Sequence, residues 1–127
     1  MRRFSDSELT YLRRQRLGRL ATIDHNGAPQ NSAVGFRIGD DDTILIGGRA
    51  LGDSRKFKNV ERNAKVAFLV DDIASLDPWH VRAVEIRGWA EAQRDVEPVM
   101  RGMSPERILI HPERVISFGL DEGDTGP

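Results

Sequence analysis

One stretch, residues 43–62, constrains the fold of this chain more than any other. A short apolar run at residues 43–46 breaks at Gly47 and Gly48 and leads into a segment with helical spacing. Glycine lets the backbone turn sharply or come close to a ligand, because it carries no side chain. The pattern therefore predicts a strand, a glycine turn and a helix in direct succession.

The start of this predicted helix has the features of an anion site. Asp53 or Ser54 can cap it, which places Arg55 and Lys56 in its first turn. The unpaired N–H groups and the dipole of a helix N-terminus favour anions, and an adjacent guanidinium and ammonium favour phosphate in particular. Arginine and lysine on a short helix are as often simply solvated. The residues alone leave both interpretations open.

Composition excludes several classes of function. The 127 residues predict one domain, and 19 basic against 20 acidic side chains give a net charge of −1. No overall field then draws the chain to nucleic acid or to an anionic membrane, so neither partner is expected. The chain has no cysteine, which excludes disulfides and thiolate chemistry. No apolar run reaches the roughly 20 residues of a membrane span, and no signal-peptide core is present, so a cytoplasmic location is expected.

The rest of the chain reads as strands joined by turns. A capping box at Ser5 and Glu8 begins a first helix, predicted to end near Arg16. Gly88 is expected to mark a bend or bulge in the longest strand. Residues 71–78 read as a loop. Strands are predicted at 17–24, 30–38, 43–46, 66–70, 79–92 and 115–120, with a short apolar run at 108–110.

Six strands with only two or so short helices predict a mainly β fold. An antiparallel barrel is favoured, because closure removes exposed strand edges. Alternation along the second strand places Ala33, Gly35 and Arg37 on one flat face. The expected domain is residues 1–120, followed by a disordered acidic tail at 121–127.

At this point several segments carry a family resemblance. Residues 20–24 (LATID), 27–30 (GAPQ), 54–56 (SRK) and 84–91 (VEIRGWAE) resemble, in order and spacing, the pyridoxamine 5'-phosphate oxidase-like split-barrel superfamily. The short length and two further elements, 77–79 (DPW) and 110–115 (IHPERV), are most similar to the actinobacterial branch that uses the deazaflavin coenzyme F420.

The resemblance implies a homodimeric, six-stranded split barrel that binds F420, with FMN as the alternative. Its phosphate would be held by Ser54, Arg55 and Lys56, joined by Arg37. The acidic tail of F420 would run toward surface cations such as Arg49, Lys58 or Arg62. Contacts to the ring and ribityl chain, largely through backbone, are expected from Asn31, Ser32, Ala33, Val34, Ile46, Gly47 and Gly48.

The implied activity is that of an oxidoreductase, with hydride transfer between reduced F420 and an unidentified small organic substrate. The protein would supply binding and orientation, and no catalytic residue is assigned. Trp79, Arg82 and Arg114 are candidate contacts to the substrate or to a second subunit. The two tryptophans and the apolar face of the longest strand are expected to form part of the dimer interface.

Departures from the oxidase pattern argue against vitamin B6 oxidation. The oxidases carry a flavin-contacting glutamine where this chain has about Ala83, and they continue into a substrate-binding segment that is not found here. The three histidines have no metal-ligand spacing, so no metal site is expected. The open alternatives are an FMN-dependent enzyme of the same fold and a non-catalytic protein that holds a flavin, haem or tetrapyrrole.

Overall fold

A computed structural model describes residues 2–120, so the predicted tail lies outside the described residues. Two short 3-10 turns, Asp40–Asp42 and Leu51–Asp53, interrupt the connections on either side of the third strand. The helices and strands are, in chain order, α1 (Asp6–Arg14), β1 (Leu17–Ile23), β2 (Pro29–Ile38), β3 (Ile44–Ile46), α2 (Arg55–Arg62), β4 (Lys65–Leu76), β5 (Trp79–Arg94) and β6 (Glu106–Phe118).

The six strands close into an antiparallel barrel in the order β1-β2-β3-β6-β5-β4. The predicted mainly β, six-stranded antiparallel barrel with two helices is therefore confirmed. Alternate residues of each strand fill its interior, among them Leu20, Ile86 and Ile108, all with no exposed area. Phe36 and Phe68 meet edge to face, with ring centroids 5.2 Å apart. Because the interior is filled, a large planar ligand has to bind outside the barrel.

The capping box of α1 is confirmed. The Ser5 hydroxyl oxygen accepts from the Glu8 N–H at 3.2 Å, and the Ser5 N–H donates to the Glu8 carboxylate at 2.8 Å. The helix ends at Arg14, two residues before the predicted end, because Gln15 is already extended (φ −94°, ψ 149°). Residues 15–16 therefore connect α1 to β1 and are not part of the helix.

The predicted loop at residues 71–78 is wrong, because β4 continues to Leu76 and only Asp77-Pro78 form the turn. Asp72 accepts from both Nε and Nη2 of Arg82, and from the Tyr11 hydroxyl at 2.9 Å. A carboxylate with these partners is tolerated in a strand, so the loop signal was misleading.

The two predicted segments near the C-terminus are also one element, since β6 runs without interruption from Glu106 to Phe118. The register shifts where Arg87 pairs with Arg114 and Gly88 pairs with Pro112, which leaves Glu113 as the extra residue of a bulge. The predicted irregularity at Gly88 is therefore confirmed. A Cβ atom there would lie 2.1 Å from the His111 carbonyl oxygen, so only glycine fits.

The apolar face of β5 is not available for a dimer interface, contrary to the prediction. Val84 and Ile86 have no exposed area and Ala90 is 3% exposed, because barrel closure turns this face inward. Trp79 and Trp89 do lie on the surface, 63% and 41% exposed. No helix among residues 2–120 is long and apolar enough to cross a membrane.

Candidate cofactor site

Ser54 fixes the start of α2, as predicted. Its hydroxyl oxygen accepts from the Phe57 N–H at 3.3 Å, while its O–H donates to the Leu51 carbonyl at 2.6 Å. Phe57 is fully buried, and Val60 is 4% exposed. The helix is therefore anchored by its apolar face, and its first turn is held at the protein surface.

The first turn of α2 presents hydrogen-bond donors to solvent. The backbone N–H groups of Arg55 and Lys56 have no acceptor within residues 2–120, as expected for the first residues of a helix. The Arg55 side chain is exposed, and that of Lys56 is partly buried. Two free N–H groups, an ammonium and the positive end of the helix dipole therefore lie together.

A cleft of about 340 Å³ lies beside this helix start, between β2 and the chain that follows β3. Among residues 2–120, no acidic side chain lines it, and Arg49 and Lys56 are its only charged lining residues. Six of the eleven residues predicted to bind the cofactor are among its lining residues. The complete lining is Ala33, Val34, Gly35, Gly47, Gly48, Arg49, Ala50, Leu51, Ser54, Lys56 and Met103.

The other five predicted residues lie outside this lining. Asn31 lines a separate surface depression with Arg19 and Ala67. Ile46 has no exposed area, so its side chain belongs to the core. Ser32 is partly buried, and Arg37 and Arg55 are exposed but do not line the cleft. Their roles in cofactor binding stay predictions.

Four cations at or near the cleft have no ion-pair partner in the part of the chain that the structure describes. None of the ion pairs found among residues 2–120 involves Arg49, Lys56, Lys58 or Arg62. The nearby Arg94 behaves differently, because it pairs with Glu61 at 3.2 Å. The cleft therefore carries uncompensated positive charge, which suits an anionic ligand.

Sequence reasoning missed the segment that holds the glycine turn in place. The Ser104 hydroxyl donates to the Gly48 carbonyl at 2.9 Å and accepts from the Leu51 N–H at 3.0 Å. The Ser104 N–H also donates to the Gly48 carbonyl at 2.8 Å, and the Gly52 N–H donates to Glu106 at 2.9 Å. More than fifty residues separate these partners, so no local pattern could have revealed them.

The two glycines of the turn have different roles. A Cβ atom on Gly47 would lie 2.6 Å from the Met103 sulfur and 2.9 Å from Cβ of Val99. The same atom on Gly48 would have no neighbour closer than 3.6 Å. Gly47 is therefore required for packing against residues 99–104, whereas the space beside Gly48 stays open toward the cleft.

Two of the other candidate contacts, Trp79 and Arg114, are exposed side chains on the surface of the barrel. Trp79 lies at the tip of the β4–β5 hairpin, paired with Leu76, and neither residue lines the cleft. Within one chain they do not meet the predicted cofactor residues. A contact from a second subunit stays a prediction for both.

Arg82, the remaining candidate contact, is already engaged within the chain. It binds Asp72 through two nitrogen atoms and lies over the Tyr11 ring, 5.2 Å from the ring centroid. Burial, reinforced by the hydrogen bond to Asp72, raises the pKa of the Tyr11 hydroxyl above its usual range. This cluster ties α1 to the sheet, so its evident role is structural.

A cavity of about 560 Å³ lies on the outer face of β3, β5 and β6. His111 stacks on Trp89 there at 4.1 Å between ring centroids, and its Nε2 is 2.5 Å from the Glu91 carboxylate. No group of three or more metal-ligating side chains occurs within residues 2–120.

The model of the family described as pyridoxamine 5'-phosphate oxidase matches residues 5–117. The chain therefore belongs to this family, and the resemblance inferred from its motifs is confirmed. The particular relative that stands out is a 5a,11a-dehydrotetracycline/5a,11a-dehydrooxytetracycline reductase of Streptomyces rimosus subsp. rimosus. This chain is 47% identical to it over 126 residues, which cover 95% of the chain and 86% of the relative.

Solved structures show the same fold. A conserved hypothetical protein from Mycobacterium tuberculosis superposes with a TM-score of 0.71 at 23% identity, over 92% of this chain and 88% of the other. An FAD binding protein from Mycobacterium smegmatis superposes with a TM-score of 0.67 at 19% identity, over 92% and 96%. At these identities the likeness supports the split-barrel architecture alone.

Proposed function

We propose that this protein is an F420-dependent reductase that delivers a hydride to a conjugated carbon–carbon double bond of a small organic substrate. The observation that carries the proposal is the acid-free, cation-lined cleft at the start of α2. The reductase relative, 47% identical, supports the reaction class. The prefix 5a,11a-dehydro in its name denotes a double bond that the reduction removes.

The start of α2 is suited to hold the phosphate of the cofactor. The free N–H groups of Arg55 and Lys56 and the Lys56 ammonium can each donate to a phosphate oxygen. One charge-assisted hydrogen bond contributes about 1.5 to 3 kcal/mol. The Ser54 hydroxyl proton is already donated to Leu51, so Ser54 can contribute only as the cap that positions this turn.

The outer face of β2 is suited to receive a planar ring. Ala33 and Gly35 present little or no side chain, and a Cβ atom on Gly35 would have no neighbour closer than 3.8 Å. A flat ring can therefore lie against this backbone. The arrangement of a phosphate site beside a flat strand fits F420, and it fits FMN equally well.

When bound, reduced F420 supplies the hydride. The lining residues of one chain include no carboxylate, histidine or tyrosine, so they offer no acid–base pair. The accompanying proton would then come from solvent or from a group outside this cleft. The residues of this chain would bind and orient the cofactor and the substrate, which is consistent with an activity that relies on the cofactor.

A homodimer is part of the proposal. The cleft lies on the outside of a filled barrel, so a second subunit would be needed to enclose a bound ring. Exposed apolar side chains suited to such a contact occur at the tip of the β4–β5 hairpin, where Ile73 is 52% and Leu76 is 74% exposed. Sedimentation at micromolar concentration tests this, and a cofactor-bound monomer would contradict it.

FMN is the second candidate cofactor, because the phosphate site and the flat strand beside it fit FMN equally well. A cofactor titration distinguishes the two. Protein made in a host that lacks F420 should purify colourless, quench the fluorescence of added F420 at micromolar concentrations and bind FMN more weakly. Purification with stoichiometric yellow FMN and no response to F420 would refute the F420 assignment.

Charge reversal at the phosphate site tests the location of binding. Lys56→Glu should raise the dissociation constant of F420 by about tenfold or more, because it replaces an attractive charge by a repulsive one. Lys65→Glu is the matched control, since Lys65 is exposed on β4 and lies outside the cleft. An equal loss of affinity in both variants, with both still folded, would show that binding depends only on net charge.

A further inference from the structure

A second cleft, of about 400 Å³, carries a cluster of arginines that the proposed cofactor does not use. Half of its lining residues are arginines, and no acidic side chain of the described residues 2–120 lines it. The lining residues are Arg13, Arg14, Gln15, Arg16, Phe36 and Met100. Three guanidinium groups around one concavity form a strongly positive site.

These arginines have no ion-pair partner in the part of the chain that the structure describes. None of them takes part in an ion pair or in a side-chain hydrogen bond found among residues 2–120. Arg13 and Arg14 lie in the last turn of α1, where a positive charge also stabilises the helix dipole. Arg16 lies beyond the helix, so the dipole does not account for the whole cluster.

The arginine cleft adjoins the cofactor cleft at Gly35. The Arg16 carbonyl oxygen is the nearest atom, at 3.8 Å, to the position that a Cβ atom of Gly35 would occupy. Gly35 itself lines the cofactor cleft. One segment also borders both clefts, because Met100 lines the arginine cleft and Met103 lines the cofactor cleft.

The phosphate site and the arginines border the same part of β2. Ser54 and Lys56 line the cofactor cleft from the start of α2, and Ala33 and Gly35 line it from β2. Phe36, the residue after Gly35, lines the arginine cleft. A cofactor with its phosphate at the start of α2 and its ring against Ala33 and Gly35 would therefore have its ring next to the arginine cleft.

We infer that Arg13, Arg14 and Arg16 form a binding subsite for the substrate, and that the substrate carries a negatively charged oxygen group. This inference rests on the proposed function, because that function places the reacting ring in the cofactor cleft, beside the arginine cleft. The cluster would orient the substrate over the ring through charge-assisted hydrogen bonds. Selectivity for acidic substrates follows from the same contacts.

Two naphthoquinone probes of similar shape test the subsite. 1,4-Naphthoquinone-2-sulfonate is an anion, and 2-methyl-1,4-naphthoquinone is neutral. Calorimetric titration into protein loaded with oxidised F420 should show preferential binding of the sulfonate, weakened by salt. The double variant Arg14→Gln/Arg16→Gln should raise the dissociation constant of the sulfonate about tenfold or more and change that of the neutral probe less than about twofold.

Arg2→Gln is the matched control, because Arg2 lies before α1 and contacts Phe4 and Asp6 instead of the cleft. It should leave the dissociation constants of both probes unchanged. Equal binding of the two probes by the unaltered protein would overturn the inference, as would an equal effect of the double variant on both. A loss of F420 affinity in the double variant would assign the cluster to the cofactor instead.

Failure of the proposed function gives a different result. If the protein binds no F420, the function fails, but the same probes titrated into the cofactor-free chain still compare the variants. Selective loss of sulfonate binding would then support the subsite without the cofactor. Absence of any selective loss would refute it.

Discussion

Ser104 should control both the stability of the glycine turn and the affinity for the cofactor, although it does not line the cofactor cleft. Ser104→Ala removes the hydrogen bond to the Gly48 carbonyl and leaves the Leu51 N–H without its acceptor. Leu51 is only 2% exposed, so water replaces that acceptor poorly. A buried donor left unpaired costs about 1 to 3 kcal/mol.

This cost should appear as a lower melting temperature. At roughly 4 °C per kcal/mol for a domain of this size, we expect a decrease of about 4 to 12 °C. If the turn loosens without unfolding, cofactor binding has to order it again. Part of this free-energy cost then appears as a weaker affinity for the cofactor. Since about 1.4 kcal/mol is a factor of ten, the dissociation constant for F420 should then rise by up to roughly tenfold.

Thermal unfolding and fluorescence titration of the same samples measure the two effects. Ser104→Thr keeps the hydroxyl group and should therefore keep most of the melting temperature and most of the F420 affinity of the unaltered protein. Ser75→Ala is the matched control, because the Ser75 side chain makes no hydrogen bond found within residues 2–120. If Ser104→Ala melts and binds like the unaltered protein, the Ser104 contacts do not hold the turn.

The remaining predictions concern packing and pH. Gly47→Ala should destabilise the fold by about 1 to 3 kcal/mol, because its Cβ would overlap Met103. Gly48→Ala should lower the free energy of unfolding less than Gly47→Ala does. Chemical denaturation of both variants measures the difference, and equal losses of stability would contradict the packing argument. The hydrogen bond from Arg82 lowers the pKa of Asp72 below its usual value near 4. Its stabilisation should therefore be present above about pH 4 and lost as the pH falls through the lowered pKa, so Asp72→Asn should flatten acid unfolding in that range; an unchanged acid transition would refute this.

Features that depend on neighbouring residues were predictable from the sequence. The capping contacts of Ser5 and Ser54 join atoms only three residues apart, so a short motif contains all of the information. The inward and outward faces of β2 follow from alternation, and Gly88 marked its bulge by the absence of a side chain. The motifs that revealed the family are also short, contiguous stretches of sequence.

Only the tertiary structure decided how distant segments complete these elements. The acidic residues after Val70 belong to a strand because Arg82 and Tyr11 pair with Asp72 across ten and 61 residues. Ser104 reaches the glycine turn from 56 residues away. A local sequence pattern does not identify such partners, because their contacts form only when the barrel closes. For the same reason the role of the arginines at the end of α1 was not apparent from the sequence, since the pairing of β1 with β2 is what brings Arg16 to Gly35.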